Sequence, residues 1–432
     1  MIKKILLGIT ITALLYGCHG VNPLKSHFEK VPPYQKYIRS LAQVELDKTA
    51  MFQSWISAGE NAMSDSVIVA LPFSESGYFT ASEPAARAYR FEAKKGQVLT
   101  IEGTVSAKND AHVFLELFYF DDHQWLPAAY NDSTLNLTYE VEHDMHGLIR
   151  IQPELLAAAY YTVSISLTPV LINPVAGATN KSIGSFYGDS RDGGKRRHEG
   201  VDIFAEKGTP VIAPTDGYVS RVGTGNLGGK VVWLQDKKRG HSYYFAHLDE
   251  QLVTSGMFLK KGDTLGTVGN TGNARNTPSH LHFGIYQRQS LDPVHYLRNF
   301  DNTFRELPWD TAFQQPDFKV IKATALYTGP RQKLKTTSLE KETYLNVIAQ
   351  SRDMYRVRLP NDKQGFVPKN KVTPIAKGKR LRIKDPTVLL HDVVSTVPRA
   401  HLEANTAVEI LASFKDYRFV RTKDGVFGWL II

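Results

Sequence analysis

The rhythm of apolar and polar residues changes repeatedly along the chain. From Tyr34 to Ile56, residues Tyr34, Tyr37, Ile38, Leu41, Val44 and Leu46 recur at helical spacing with no Gly or Pro inside the run, which predicts one or two helices. From about Ser66 to Pro169 the rhythm shortens to alternating runs at Ala88–Ala93, Val98–Val105, Val113–Phe120, Gly147–Ile151 and Tyr160–Leu167, separated by polar turn clusters. Short strands at that spacing predict an antiparallel β-sandwich. Ile172–Val175 reads as a boundary, and Phe304 to Pro316 reads as a linker with Pro308 and Pro316 bracketing a polar run. The tail then repeats itself. Leu339-Glu-Lys-Glu-Thr-Tyr-Leu-Asn-Val-Ile-Ala matches Leu402-Glu-Ala-Asn-Thr-Ala-Val-Glu-Ile-Leu-Ala, and Gly365-Phe-Val matches Gly428-Trp-Leu. A period of about 62 residues predicts two copies of one β unit.

A length of 432 residues exceeds one ordinary domain, so two to four domains of roughly 100–150 residues are expected. The net charge of +9 is concentrated: from Phe318 onward there are 22 Lys and Arg against 10 Asp and Glu. A basic tail favours an anionic partner. No helix-turn-helix, finger or aromatic RNA-binding motif accompanies it, so nucleic acid is not an expected partner. The rival reading of this charge is a solubilising face.

A single cysteine, Cys18, rules out a disulfide within the chain. It follows a basic start (Lys3, Lys4) and the apolar run Ile5–Leu15. That run is shorter than the ~18 residues a membrane span needs and suits a signal peptide. The segment resembles a bacterial lipoprotein signal, which implies residues 1–17 as a signal peptide and lipidation at Cys18. The protein is then expected in the cell envelope, anchored to a membrane (the outer membrane in a two-membrane cell).

Candidate chemistry is confined to one stretch. His198-Glu-Gly-Val-Asp202 sets a His and an Asp four apart across a glycine, His247 ends an alternating strand pattern, and His280-Leu-His282 sets two histidines at alternate positions. Residues i and i+2 of a strand share a face. His280 and His282 therefore project together, one able to ligate a metal and the other to stand off as a proton-transfer group. Residues i and i+4 of an extended strand lie about 13 Å apart, so His198 and Asp202 converge only if the chain bends, for which Gly200 is suited. Two imidazoles and a carboxylate make three protein ligands with a fourth position open, the pattern of catalytic zinc.

Taken together these motifs resemble the lysostaphin and LytM class of zinc metallopeptidases. The likeness runs from about Ser185 to Leu297. It includes Phe186-Tyr-Gly-Asp-Ser-Arg191, Gly208-Thr-Pro-Val-Ile-Ala-Pro-Thr-Asp-Gly217, Tyr244-Phe-Ala-His247, Lys261-Gly-Asp-Thr-Leu-Gly-Thr-Val-Gly-Asn-Thr-Gly272 and Asp292-Pro. The resemblance implies one zinc ion per chain on His198, Asp202 and His282, with His247 and His280 as general base and as oxyanion or leaving-group partner, in either assignment. It implies substrate contacts for Asn270 and Arg191, peptidoglycan as the substrate, and hydrolysis of its peptide cross-links. Gly284 departs from the family habit of an acidic residue at that position, and His241 and His295 match no ligand position and read as surface residues. The rival class is a noncatalytic wall-binding or hydrolase-activating protein of the same fold, which the intact set of five residues disfavours.

The expected fold is mainly β and multidomain. A lipid-anchored tether and helical lead (18–65) precede a jelly-roll-like accessory sandwich (66–170) and a small antiparallel LytM-type peptidase domain (171–305). The tail repeats resemble bacterial SH3-like domains, at 318–376 and 377–432. A monomer is expected, with the sandwich or the tail placed to cover part of the zinc cleft.

Overall fold

The structure, a computed structural model, describes residues 31–64, 67–107, 111–131, 133–331, 334–394 and 397–431. The segment expected to be a signal peptide, and Cys18, lie outside the described residues.

Two helices, Pro33–Gln43 and Ala50–Met63, come first. Proline suits the first turn of a helix, where its missing N–H would have no intrahelical partner. Thr49 caps the second helix by accepting from the Phe52 N–H at 3.2 Å. Trp55 is 1% exposed; its ring stacks on Tyr34 and its Nε1 donates to Pro153 O at 2.8 Å, fixing the helix to the sandwich.

The sandwich pairs two antiparallel sheets. Arg87–Ala93, Met145–Pro153, Val113–Asp121 and Gln124–Asn131 make one, and Phe73–Phe79, Ala159–Pro169, Gln97–Ala107 and Leu137–Glu140 make the other. Tyr89, Leu115 and Ile149 from the first sheet meet Leu99, Tyr161 and Ile165 from the second in a single core, the alternation expected of facing sheets.

The second sheet continues into the tail. Phe73–Phe79 pairs with Tyr344–Ser351, Ser76 opposite Gln350 and Gly77 opposite Ala349, giving one eleven-stranded sheet. The tail strand thereby satisfies N–H and C=O groups that an open sandwich edge would expose. Under this seam Arg356 and Glu75, both 0% exposed, lie 3.6 Å apart, and Glu75 accepts from Tyr89 and Tyr161 hydroxyls. The proline-bracketed segment expected to be a linker also packs down. Trp309 meets the Tyr160 ring, Phe313 is buried, and Pro308 O accepts from Gln350 Nε2 at 2.6 Å.

The tail repeat is a repeat of topology. Lys335–Leu339, Thr324–Tyr327, Gln364–Pro368, Met354–Arg358 and Tyr344–Ser351 follow the same spatial order as Pro398–Leu402, Thr387–Leu390, Phe427–Ile431, Tyr417–Thr422 and Ala407–Phe414. Left-handed residues recur in register, Glu342 with Asn405, Arg352 with Lys415 and Asp362 with Gly425, which sets the period at 63 residues.

Between sandwich and tail lies the unit that holds the histidines. Its main sheet runs Phe258–Leu259, Gly217–Gly225, Gly229–Asp236, His241–Leu248, His280–Tyr286, Val201–Phe204 and Ile183–Ser185 in space. Val201, Ile203, Val232, Leu234, Tyr243, Phe245, Leu281 and Phe283 are 0% exposed in one core. Arg239 joins this unit to the sandwich, its Nη2 donating to Glu140 at 3.1 Å and its Nη1 to Asp236 at 2.9 Å.

Candidate metal centre

The site begins as a strand register. Val201–Phe204 runs antiparallel to His280–Tyr286 with Asp202 opposite His282 and Phe204 opposite His280. Ala246 lies opposite His282 on the other side. Because Ile203, Leu281 and Phe283 turn into the core, strand alternation sends Asp202, His280 and His282 to the opposite face.

His198 enters from the segment just before this strand, and the reason for Gly200 is now steric. A Cβ on Gly200 would stand 2.4 Å from Phe283 O and 2.9 Å from the His282 ring. Its φ is not left-handed, so the glycine serves close approach and not an unusual backbone bend.

The three expected ligand atoms converge. His198 Nε2 is 2.9 Å from Asp202 Oδ1 and 2.9 Å from His282 Nδ1, which is 3.1 Å from Asp202 Oδ1. Zinc bonds of about 2.0–2.1 Å place tetrahedral ligands roughly 3.3 Å apart, so the triangle fits one ion after opening by a few tenths of an ångström. Backbone carbonyls select which imidazole nitrogens face the site. His198 Nδ1 donates to Phe186 O at 2.8 Å, which turns Nε2 toward Asp202 Oδ1. Arg191 Nη2 donates to Asp202 Oδ2 at 2.8 Å, which leaves Oδ1 for the two histidines.

His247 and His280 flank this triangle in the same manner. His247 Nδ1 donates to Thr271 O at 2.9 Å and His280 Nδ1 to Pro278 O at 2.8 Å, so both turn an Nε2 lone pair outward. Their ring centroids are 5.1 Å apart, and His280 Nε2 is 4.0 Å from Asp202 Oδ1. His247 sits at φ 61, a costly conformation for a residue with a side chain. It is held there by its N–H on Gly228 O at 2.7 Å and by close packing of Gly269 against its carbonyl.

Burial opposes ionisation of Asp202, but hydrogen bonds and charge from His198 and His282 outweigh it and hold the carboxyl far below the usual range. Burial, and next the neighbouring His280, lower His247 to about 4. Burial also lowers His282, against the pull of Asp202. The result is an ionised carboxylate beside two imidazoles, His247 and His282, that favour the neutral form, the protonation state a metal requires.

Residues 196–293 match the family model described as Peptidase family M23. The chain carries an M23 peptidase domain. It is 35% identical over 141 residues to the L-Ala--D-Glu endopeptidase of Bacillus subtilis (strain 168), covering 30% of this chain and 43% of that protein. It is 36% identical over 88 residues to the peptidoglycan DD-endopeptidase ShyC of Vibrio cholerae serotype O1, covering 20% of each. The chain thus spans less than half the length of these curated relatives. Among solved structures it is similar to the catalytic domain of lysostaphin from Staphylococcus simulans, 32% identical over 26% of this chain and 87% of that one, with a TM-score of 0.24.

The cleft of the M23 domain has a volume of about 800 Å³, and all its lining residues fall between Ser185 and Tyr286. No described residue of the sandwich or tail lines it, so the expected cover from flanking domains is not what the structure shows. Arg191 lines the cleft, whereas Asn270 does not: its Nδ2 reaches Arg275 O at 3.3 Å, and Asn273, three residues on, takes a place in the wall.

His241, expected at the surface, is 3% exposed, packed against Tyr243 and Tyr296 with its pKa lowered by burial. Tyr244, Tyr286 and Phe204 form aromatic walls that motif reading passed over. Their signal was strand parity: Tyr244, like Ala246, alternates with buried Tyr243 and Phe245. Gly284 is explained by the same wall. A Cβ there would lie 2.7 Å from the Tyr286 ring and 3.1 Å from Glu199 O, leaving no room for a side chain.

Gly200→Ala is therefore expected to displace His282 and weaken zinc affinity at least ~10-fold, a loss of the order that misplacing a ligand's support produces, while circular dichroism stays unchanged. Unaltered zinc affinity in a competitive chelator titration would contradict this packing.

Proposed function

We propose that the M23 domain is a zinc-dependent endopeptidase that hydrolyses peptide cross-links of bacterial peptidoglycan. The observation that carries this reading is the convergence of His198, Asp202 and His282 on one point, with the outward Nε2 atoms of His247 and His280 beside it. Endopeptidase relatives at 35% and 36% identity support it.

His198, Asp202 and His282 would hold the ion. When bound, zinc supplies Lewis-acid polarisation of the scissile carbonyl and raises the acidity of the attacking water. The flanking imidazoles perform the proton transfers. A neutral Nε2 accepts a proton from water as its oxygen attacks the carbonyl carbon. As the C–N bond breaks, the proton passes to the leaving nitrogen, so that one water is consumed and a carboxylic acid and an amine are released. The second Nε2, when protonated, donates to the oxyanion or the leaving amine; the two histidines stand close enough to divide these duties.

Zinc content and the fall in turbidity of a sacculus suspension test the assignment together. His282→Ala should lose both metal and lysis. His247→Ala should keep one zinc per chain and lose rate by about 10²–10⁴-fold, the usual worth of a general acid–base group. Retained lysis in both variants would refute the assignment.

We further propose that the protein works in the cell envelope, held to a membrane through lipid on Cys18. Palmitate labelling of cells producing the full chain should vanish in Cys18→Ala, and labelling that persists would remove the anchor from this account.

A further inference from the structure

A second groove, of about 860 Å³, opens where three parts of the chain meet. These are the helix Ala50–Met63, the turn from Phe79 to Arg87, and the first tail unit around Asn346 and Asn361. It shares no lining residue with the M23 cleft.

The helix shows what this groove is built for. Phe52, Trp55, Gly59 and Ala62 are buried on one side. Ser54, Ser57, Ala58 and Asn61, at helical spacing on another side, line the groove. That stripe is small and uncharged, and offers hydroxyl and amide groups. Asn346 and Gln364 add further amides from the tail unit. Such groups match the N–H and C=O groups of a peptide backbone.

Arg87 lines the same groove and is 5% exposed. The described chain buries three arginines, and two of them have acidic partners: Arg150 has Glu116, and Arg356 has Glu75. Arg87 has none among the described residues. Its Nη1 donates to Ala86 O at 3.2 Å, its Nε has no hydrogen-bond partner, and its guanidinium lies 5.0 Å from the centre of the Phe79 ring. A buried guanidinium without a counter-charge is strongly unfavourable, because desolvation is not offset by an ion pair. The other charges at the groove do not supply one. Glu83 is bound to Arg358 at 2.5 Å, and Lys363 donates to Thr336 O and Thr337 Oγ1. Asp362, also in the lining, makes no ion pair with Arg87.

We infer that this groove binds a short peptide through a free carboxylate, with the carboxylate on Arg87 and the peptide backbone along Ser57, Asn61 and Asn346. One buried guanidinium without an acidic partner matches one negative charge in a planar group that it can hold with paired hydrogen bonds. A phosphate dianion would call for a second cation beside Arg87; Arg358 is paired with Glu83, and the Lys363 ammonium is directed to Thr336 O and Thr337 Oγ1. The volume is that of an ordinary small-ligand site. The groove thus gives the accessory region a recognition role of its own, independent of hydrolysis at the M23 cleft.

Calorimetric titration of the metal-free full chain tests this without any hydrolytic readout. The probes are acetyl-trialanine with a free carboxylate, its C-terminal amide, and inorganic phosphate. The acid should bind saturably, the amide should bind at least ~10-fold more weakly through loss of the charge-assisted hydrogen bonds, and phosphate should not displace the acid. Arg87→Met should abolish the difference between acid and amide. Ser57→Trp, on the exposed side of the helix, should fill the groove and remove binding with the thermal unfolding curve unchanged. Equal binding of acid and amide, displacement by phosphate, binding that survives Ser57→Trp, or no binding of the acid would each overturn the inference.

Discussion

Asp202 and His282 face each other across adjacent antiparallel strands, and the remainder of the cleft is arranged around that pairing. A slip of one residue would exchange core for cleft, sending Ile203 and Leu281 into the site and Asp202 and His282 into the interior. The apolar residues that alternate with Asp202 and His282 prevent such a slip, since Val201, Ile203, Leu281 and Phe283 are fully buried. Packing energy on one face of the sheet therefore sets chemical geometry on the other. His198 then needs only a close approach to complete the triangle, and Gly200 permits it by presenting no side chain to Phe283 O.

A second layer of control comes from backbone carbonyls. Phe186 O, Thr271 O and Pro278 O each engage an Nδ1 of a site histidine, and each thereby decides which nitrogen is free. These acceptors lie in loops outside the motif histidines, so the loops act as part of the site. Arg191 extends the same logic to the carboxylate by occupying one oxygen of Asp202. The positive φ of His247 shows that the fold holds this residue in a conformation its side chain disfavours.

Much of this was legible from residue order, and the exceptions have physical causes. Alternation of His280 and His282 around Leu281 gave their common face directly, because strand parity is a local property. The role of Asn270 was not legible, since which turn residue reaches a cleft depends on loop conformation, and Asn273 lines the wall in its place. His241 looked like a surface residue because its burial comes from Tyr296, far away in sequence. The helical rhythm near the start and the duplicated tail were visible as periods. The shared sheet between Phe73–Phe79 and Tyr344–Ser351 was not, because pairing between strands so distant in sequence leaves no periodic trace. Gly200 was expected to permit a bend, but its φ is ordinary; the steric limit set by Phe283 O appears only once the neighbouring strand is in place.

The central claim is that three of five clustered side chains ligate and two stand off. Zinc K-edge X-ray absorption on the loaded full chain tests that division most directly. The account predicts a shell of nitrogen and oxygen donors containing two imidazoles, unchanged when His247 and His280 are both replaced by alanine. A shell with three or more imidazoles, or one altered by that double replacement, would contradict it.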